Sequence, residues 1–449
     1  MNKLLSNQRG VAIFIVMAAI AIAVPLVYKF TEETFINRFR ADNIESRAKA
    51  RLVAESALKF AMARLRLYKE AYNFVQNKTG ANNVVSQQNL DLIWNFPFIY
   101  PIPVSKDMNA IQKQALQKFS EESFLEGGFQ LTINNISNKI NLNMLRISLL
   151  TEARKRAARA NPEEEPPEPT EEELAFSPES QLFNALQQSI ELKSQNDETF
   201  DSKYFGMDIQ PLVNELKFYI SDPNAIEDNG GADRSFDEQN LTPKRAPITS
   251  YSEIYTLPSW PDDIIQLIEN EFTVHGALMI DLNEITDNLL RLLIPNILPE
   301  DIEEFFKWKN DPQNPQYFNT RDDFKNYIVN IGNILNESDF DERFENYEKQ
   351  GLKFGPTPTL FKIVINAKVR DATYNLVAYV TMPVQPQPRP QKPANGNLGA
   401  DGETPQSPQT PQPNPGEPEP NPTPPGGNGN PEKQKTQLLE PRIVEIIVG

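Results

Sequence analysis

The sequence predicts an α+β chain: a long amino-terminal helix packs on a small antiparallel sheet, and a large all-helical domain is inserted into that unit. Three observations carry this prediction. An apolar run from Val11 to Tyr28 leads into a stretch, Thr31 to Gln76, that holds neither Pro nor Gly. Near the other end, Leu360 to Arg370 and Thr373 to Thr381 alternate apolar and polar residues, as half-buried strands do. Between them, residues 181–335 carry helical spacing with Ser, Thr, Asp and Pro at the helix starts.

The amino-terminal stretch organises the rest. A short basic leader, residues 1–10, contains Lys3 and Arg9 and ends at Gly10. Residues 11–28 then hold no charge and approach the ~20 residues with which a helix crosses a bilayer. Basic flanks stay in the cytoplasm, so the bulk is expected outside it. Three readings compete. One is a cleaved secretory signal with Ala21-Ile22-Ala23 as its small-x-small site; its cut would fall inside the apolar run, just before Pro25. The second is a plain signal anchor. The third is a leader cut after Gly10 that leaves the helix attached. Residues 29–76 continue the helix as a spine. Phe35, Phe39, Leu52, Ala54, Ala57, Leu58, Ala61 and Leu65 recur at mostly three- and four-residue steps, which predicts one buried face. From Val11 to Tyr72 such a helix is roughly 90 Å long, with Pro25 as a kink point.

Composition narrows the function. The chain has 449 residues, room for two modest domains and accessory segments. Its net charge of −17 argues against nucleic acid, which needs clustered Lys and Arg. The absence of cysteine excludes disulfides, thiol chemistry and thiolate metal sites. The single histidine, His275, has no nucleophile motif to serve and is expected at the surface or half-buried. Gly-x-Ser-x-Gly, His-Glu-x-x-His and P-loop patterns are absent, so no catalytic residue is assigned and an enzyme is not expected.

The remaining segments follow in order. Residues 77–150 form the first part of the head: Asn77 to Asn109 reads as loop, and Phe129 to Ile133 as a strand. From Asn138 to Leu145 asparagines alternate with apolar residues, a strand turning into a helix start. Residues 151–180 are acidic and rich in Pro and Glu, cannot bury a core, and are expected to be disordered. Residues 181–335 are the helical domain. They include an acidic loop, Asp222 to Glu238, with Asn229-Gly230-Gly231. Residues 336–382 return to the strands of the head, with a turn at Asp371-Ala372. Residues 383–434 are Pro-rich and expected to be extended and solvated; sixteen of the chain's 38 prolines lie between Pro383 and Pro431. Residues 435–449 hold a last strand, Arg442 to Val448.

Taken together, these landmarks resemble the minor pseudopilin K family of the type II secretion system (general secretion pathway protein K). The boundary Arg9-Gly10 is followed by Val-Ala-Ile-Phe-Ile, as after a prepilin leader. Ala54-Glu55-Ser56-Ala57-Leu58 is similar to the family's spine signature. Lys139-Ile140-Asn141-Leu142-Asn143 resembles its Gly-Lys-(apolar)-Asn-Leu-Asn element, and Ser250 to Ile254 its Ser-x-x-Glu-Leu. Ile280-Asp281-Leu282-Asn283 resembles its (apolar)-Asn-(apolar)-Asn, and Phe318 to Phe324 its Phe-x-Ser-x-x-Asp-Phe. The sequence departs from the family at Phe218-Tyr219, where a Trp is usual, and at Ile136-Ser137-Asn138. The segments at 152–180 and 383–431 look private to this chain.

The resemblance implies a type IV pilin-like fold with an inserted SAM-like or helix-hairpin-helix-like domain. DNA binding, common for that fold, is not expected here, because glycine-centred hairpins and a basic surface are absent. It implies cleavage by a prepilin peptidase between Gly10 and Val11, and methylation of the new Val11 amine. It implies a single-pass inner-membrane protein with its bulk in the periplasm of a Gram-negative bacterium. Its partners would be other minor pseudopilins and the secreted cargo. Pilins usually carry glutamate at the fifth mature position; Ile15 stands there, as fits a tip subunit with no neighbour ahead. The family is linked to calcium, and hard cations favour several oxygens. Asp222, Asp228, Asp233 and Asp237 are therefore candidate ligands, against the alternative of a solvated acidic loop. Two rival functions stay open: a minor pilin of a type IV pilus, and a membrane-anchored periplasmic enzyme.

Overall fold

The computed structural model describes residues 8–77, 87–104, 108–123, 125–147, 177–226, 230–269, 271–276, 279–294, 297–313, 315–318, 320–349, 352–385 and 437–449. The basic start of the leader, most of the 151–180 insertion, most of the Pro-rich loop and Asp228 lie outside these residues.

Helix α1 spans Gln8–Asn77. At 1.5 Å per residue its 70 residues reach about 105 Å. The helix continues through Pro25, which lacks the N–H that would bond the carbonyl of Ala21. The buried face of its second half runs through Ala50, Val53, Ala54, Ala57, Leu58, Ala61, Leu65, Tyr68 and Tyr72. Three residues expected on that face are instead exposed: Phe35, Phe39 and Leu52. Phe35 and Phe39 precede the packed part of the helix. Leu52 stands two positions from Ala54, about 200° round the helix, and so faces away.

The face packs on a five-stranded antiparallel sheet with order β1-β2-β7-β8-β9. Its strands are β1 (Phe98–Tyr100), β2 (Gly128–Asn135), β7 (Leu360–Val369), β8 (Ala372–Thr381) and β9 (Arg442–Val448). Alternation along β7 turns Phe361, Ile363, Ile365 and Ala367 toward α1, and Leu376, Ala378 and Val380 of β8 join them in one cluster. The β7–β8 turn is Arg370-Asp371, one residue earlier than the expected Asp371-Ala372, with Arg370 at φ 54°. The stretch 77–109, expected as loop, holds helix α2 (Gln87–Asn95) and β1. Leu90 and Trp94 of α2 bury against α1, so a short helix forms there on tertiary contact rather than on propensity. Helix α3 (Ala110–Glu122) begins with a capping box between Asn109 and Gln112 and has no buried residue.

Between β2 and β7 the domain expected at 181–335 divides into two cores, and neither is wholly helical. The first gathers α4 (Pro178–Asn196), α5 (Glu198–Tyr204), α6 (Gln210–Ile220), α7 (Ala232–Glu238) and α8 (Asp262–Ile268). Helix α4 starts at Pro178, inside the segment expected as disordered, because Ser177 caps it. The second core gathers α9 (Asp287–Leu293), α10 (Pro299–Lys309), α11 (Arg321–Asn326) and α12 (Glu337–Lys349). Helix α12 occupies residues assigned above to strands. Its Phe340, Phe344 and Tyr347 are buried in that core, and Phe324, Phe340 and Phe344 pack ring against ring.

The two units share one local design. Each opens with a two-residue strand, β3 (Ile140–Asn141) or β5 (Ile280–Asp281), that runs straight into a 3₁₀ turn. Each closes with a parallel partner, β4 (Phe272–Thr273) or β6 (Phe354–Gly355), with Ile140 beside Phe272 and Ile280 beside Phe354. In the first, Asn143 Nδ2 donates to the carbonyls of Ile248 (2.9 Å) and Val274 (2.7 Å), and its Oδ1 accepts from Ile248 N (2.8 Å). In the second, Asn283 Nδ2 donates to the carbonyls of Phe318 (2.9 Å) and Pro356 (3.0 Å), and its Oδ1 accepts from Phe318 N (2.9 Å). Two residues beyond each pinned position stands a capping box, Ser250 with Glu253 and Thr320 with Asp323.

Each asparagine therefore holds three backbone groups that have no substitute partner. Asn143→Ala and Asn283→Ala are each expected to destabilise the chain by about 3 kcal/mol, since orphaned polar groups cost ~1–3 kcal/mol each. Asn283→Asp should cost more, because a carboxylate would face two carbonyls. Chemical denaturation of the full chain measures all three.

Candidate functional site

The candidate functional site is the anchored end of α1 together with the surfaces of the head that can meet other chains. Residues 11–28 are exposed throughout, and an 18-residue window in α1 has mean hydropathy 2.7 with none of it buried. This is a helix long and apolar enough to cross a membrane. Gly10 lies within the helical backbone, directly before the apolar run. Val11 and Ile15 are both exposed, and a four-residue step places them on one face. The first turn of α1 contains no acid. Beyond the apolar run, Phe35, Ile36, Phe39 and Ile44 leave further apolar surface uncovered before the helix meets the sheet.

Four of the motifs singled out in the sequence meet as two pairs. Lys139–Asn143 and Ser250–Ile254 belong to the first asparagine joint; Ile280–Asn283 and Phe318–Phe324 belong to the second. Along the sequence they stand as separate landmarks. Their shared pattern, Ile-(Asn/Asp)-Leu-Asn at 140 and 280, was the signal that the two units repeat one design.

The second joint seats against the spine through a polar network. Asp281 Oδ2 accepts from Asn135 Nδ2 (3.0 Å) and Oδ1 from Asn283 N (2.9 Å), while Asn138 Oδ1 accepts from Asp281 N (2.8 Å). Nearby, Tyr68 of α1 shares a hydrogen bond with Thr357 (2.7 Å) and accepts from Gln87 Nε2 (2.9 Å), which also donates to Asp91 (2.9 Å). Burial pushes Asp281 up to about 7, against the opposing hydrogen bond from Asn283 N; the charges of Asp91 and Glu284 add to the rise. Burial likewise pushes Asp91 up to about 6, against the hydrogen bonds from Trp94 and Gln87.

A cavity of about 560 Å³ opens beside this network, between the two units. Asn138, Lys139, Gln188, Glu271, Glu284 and Arg291 are among its lining residues. Burial lowers Lys139 to about 8, and its Nζ donates to the carbonyl of Glu269 at 3.0 Å.

Three of the acidic-loop candidates, Asp222, Asp233 and Asp237, lie among the described residues. Asp222 forms an ion pair with Arg146, which also donates to the carbonyl of Ile220 (3.2 Å). Asp233 and Asp237 sit exposed in the seven-residue α7, whose N-cap Gly231 has φ 84°. Among the described residues no three acidic or histidine side chains come together as a metal group.

His275 corrects its expectation, being buried rather than surface or half-buried. Its Nε2 lies 2.8 Å from Glu445 of β9, and its ring packs on Tyr379 of β8 at 4.5 Å. Its partner stands 170 residues away in sequence, so no local pattern announces it.

No family model matches the chain, and no curated protein matches it. Among solved structures, the chain is similar to one in the crystal structure of the GspK-GspI-GspJ complex from the enterotoxigenic Escherichia coli type 2 secretion system. The identity is 11% and the TM-score 0.45, over 76% of this chain and 94% of that one.

The raised acids set a pH dependence. Unfolded, Asp281 titrates near 4; folded, at about 7. The folded chain therefore holds this proton more tightly, so the contribution is complete below about 4 and is lost as pH rises through 7. Denaturation midpoints should carry a falling component between pH 5 and 7 that Asp281→Asn removes. Equal slopes in the two proteins over that window would refute the assignment.

Proposed function

We propose that this chain is a minor pseudopilin at the tip of a type II secretion pseudopilus, where it starts or caps assembly with other minor pseudopilins during export across the outer membrane. The observation that carries the reading is α1. One helix is wholly exposed, apolar and uncharged from Val11 to Tyr28, and farther on presents an alanine-rich face to an antiparallel sheet. A plain signal anchor needs no such continuity. The four motif resemblances, now paired in two joints, support the same reading.

In this proposal a prepilin peptidase removes residues 1–10, Val11 becomes the methylated amino terminus, and α1 holds the chain in the inner membrane with the head in the periplasm. Ile15 fits the top position. A carboxylate in lipid is costly without a partner, and a subunit with no neighbour ahead has none to serve. The two helical units enlarge the head beyond its sheet, which a terminal subunit tolerates because nothing stacks above it. The uncovered residues Phe35, Ile36, Phe39 and Ile44 then meet partners from the side and below.

Mass analysis of the chain recovered from its membrane should place the mature terminus at a methylated Val11. A terminus at Val24 would remove the pilin-type leader. Co-expression of the full chain with candidate minor pseudopilins should give a discrete detergent-extracted complex holding one copy of it. Self-polymerisation, or labelling along the shaft, would refute the tip position.

A further inference from the structure

The cavity of about 560 Å³ between the two helical units falls within the ~300–1,000 Å³ of ordinary ligand pockets. Helix α4 of the first unit lines one side, and the start of α9 with the turn before it lines the other. The connector that leaves β2 lines it as well. Two of the connector's carboxamides are already spent: Asn135 donates to Asp281, and Asn138 donates to the carbonyls of Asp281 and Glu284.

Other polar groups of the lining are not spent. The Asn184 carboxamide and the Glu284 carboxylate make no hydrogen bond or ion pair among the described residues. Gln188 Nε2 lies 3.5 Å from Asn288 Oδ1 across the cleft, beyond the ~2.7–3.2 Å of an ordinary N–H···O bond. Each side also carries one acid and one base, Glu271 with Lys139 and Glu284 with Arg291. Ile136, Ile140, Ala185 and Leu289 add an aliphatic strip, and no aromatic side chain is part of the described lining.

This set of groups selects among ligand classes. Nucleobases stack on aromatic side chains, as sugar rings do, and the lining offers none. A ligand of one strong charge would meet both signs on both sides. A peptide main chain suits the carboxamides, because it presents N–H and C=O together and a carboxamide answers both at once. The chain itself does this twice. Asn143 holds the N–H and C=O of Ile248, and Asn283 those of Phe318.

We propose that the cleft between the two units binds a short extended peptide segment of another protein. Asn184, Gln188 and Asn288 would hold its main chain, and the aliphatic strip would take one apolar side chain. A basic side chain toward Glu284 and an acidic one toward Lys139 would set its direction, since paired charges give specificity more than affinity. The weak Gln188–Asn288 contact is displaced at little cost when the peptide enters. The inference concerns the cleft and stands apart from the filament reading.

The test uses the full chain in detergent and a fluorescein-labelled, end-blocked peptide, Ala-Lys-Val-Asp-Ala, followed by anisotropy. Saturable binding is expected. Gln188→Ala combined with Asn288→Ala should weaken it at least about tenfold. Gln187→Ala, one position along α4 and outside the lining, should stay within about twofold. Unlabelled peptide should displace the probe and maltotriose should not. A chain lacking residues 151–174 should bind as the full chain does. A thermal melt checks each fold; if the double variant melts early, Asn184→Ala takes its place. The proposal is overturned by absent saturable binding, by cleft variants that bind normally, by equal losses at positions 187 and 188, by displacement with maltotriose, or by binding that appears only once residues 151–174 are removed, which would make the chain's own insertion the occupant.

Discussion

One helix has to satisfy two surroundings, and the rest of the structure depends on how α1 does so. Its first part is apolar all round, as a lipid-facing helix is. Its second part is apolar on one face only, and that face is built mainly from alanine: Ala50, Ala54, Ala57 and Ala61 are each fully buried. Small side chains let the helix axis approach β7 and β8 closely. Val53 and Leu58 stand between the alanines, and the larger Leu65, Tyr68 and Tyr72 follow farther along, where α2 also closes over the helix. A sheet with one apolar face needs a second layer, and α1 is that layer. A bulky residue in the alanine stripe would push α1 off the sheet, a kind of overpacking that costs ~1–3 kcal/mol.

The sheet can carry two long excursions because each is closed at its base. The helical units leave after β2 and return before β7, yet Ile136 N donates to the carbonyl of Leu360 at 2.9 Å, and Asn135 pairs with Phe361. Inside that excursion, β3 with β4 and β5 with β6 close each unit again. The second excursion leaves after β8. Val384 bridges Leu438, Gln385 N donates to Gln437 at 2.8 Å, and the chain re-enters as β9. Loop-closure cost grows slowly with length, so a hydrogen-bonded base makes the size of each excursion nearly irrelevant to the strands beside it.

How much of this was legible follows from range. The β7–β8 hairpin was readable because alternation is a two-residue pattern, and its turn was misplaced by only one residue. The apolar character of residues 11–28 was readable by counting charges. The buried face of α1 was half readable: helical periodicity found Ala54, Ala57, Leu58, Ala61 and Leu65 but could not say where the sheet begins, so it included Phe35 and Phe39. Helices α2 and α12 were missed. Glu337–Lys349 is so rich in acidic residues that its apolar set, Phe340, Phe344 and Tyr347, does not stand out until the second core supplies partners. The pairing of Glu445 with His275 lay beyond any window, and the asparagine joints were visible as motifs but not as a repeat.

The two joints also show why one of twin positions is an acid. Asn141 and Asp281 occupy equivalent places, and both accept a hydrogen bond from the asparagine two residues on, at 3.0 and 2.9 Å. At 281 the side chain must also accept from Asn135 Nδ2, and it lies near Asp91. A carboxyl group offers two acceptor oxygens where a carboxamide offers one, so the acid can link β2, the second unit and the turn after β5 together. The burial that makes this link effective also raises the group's pKa, since a charge there is poorly solvated. The raised value and the three-way linkage thus have one cause. The second unit is tied to the sheet through a carboxyl group that holds its proton to higher pH than an exposed one would, whereas the first unit has a neutral asparagine in the same place.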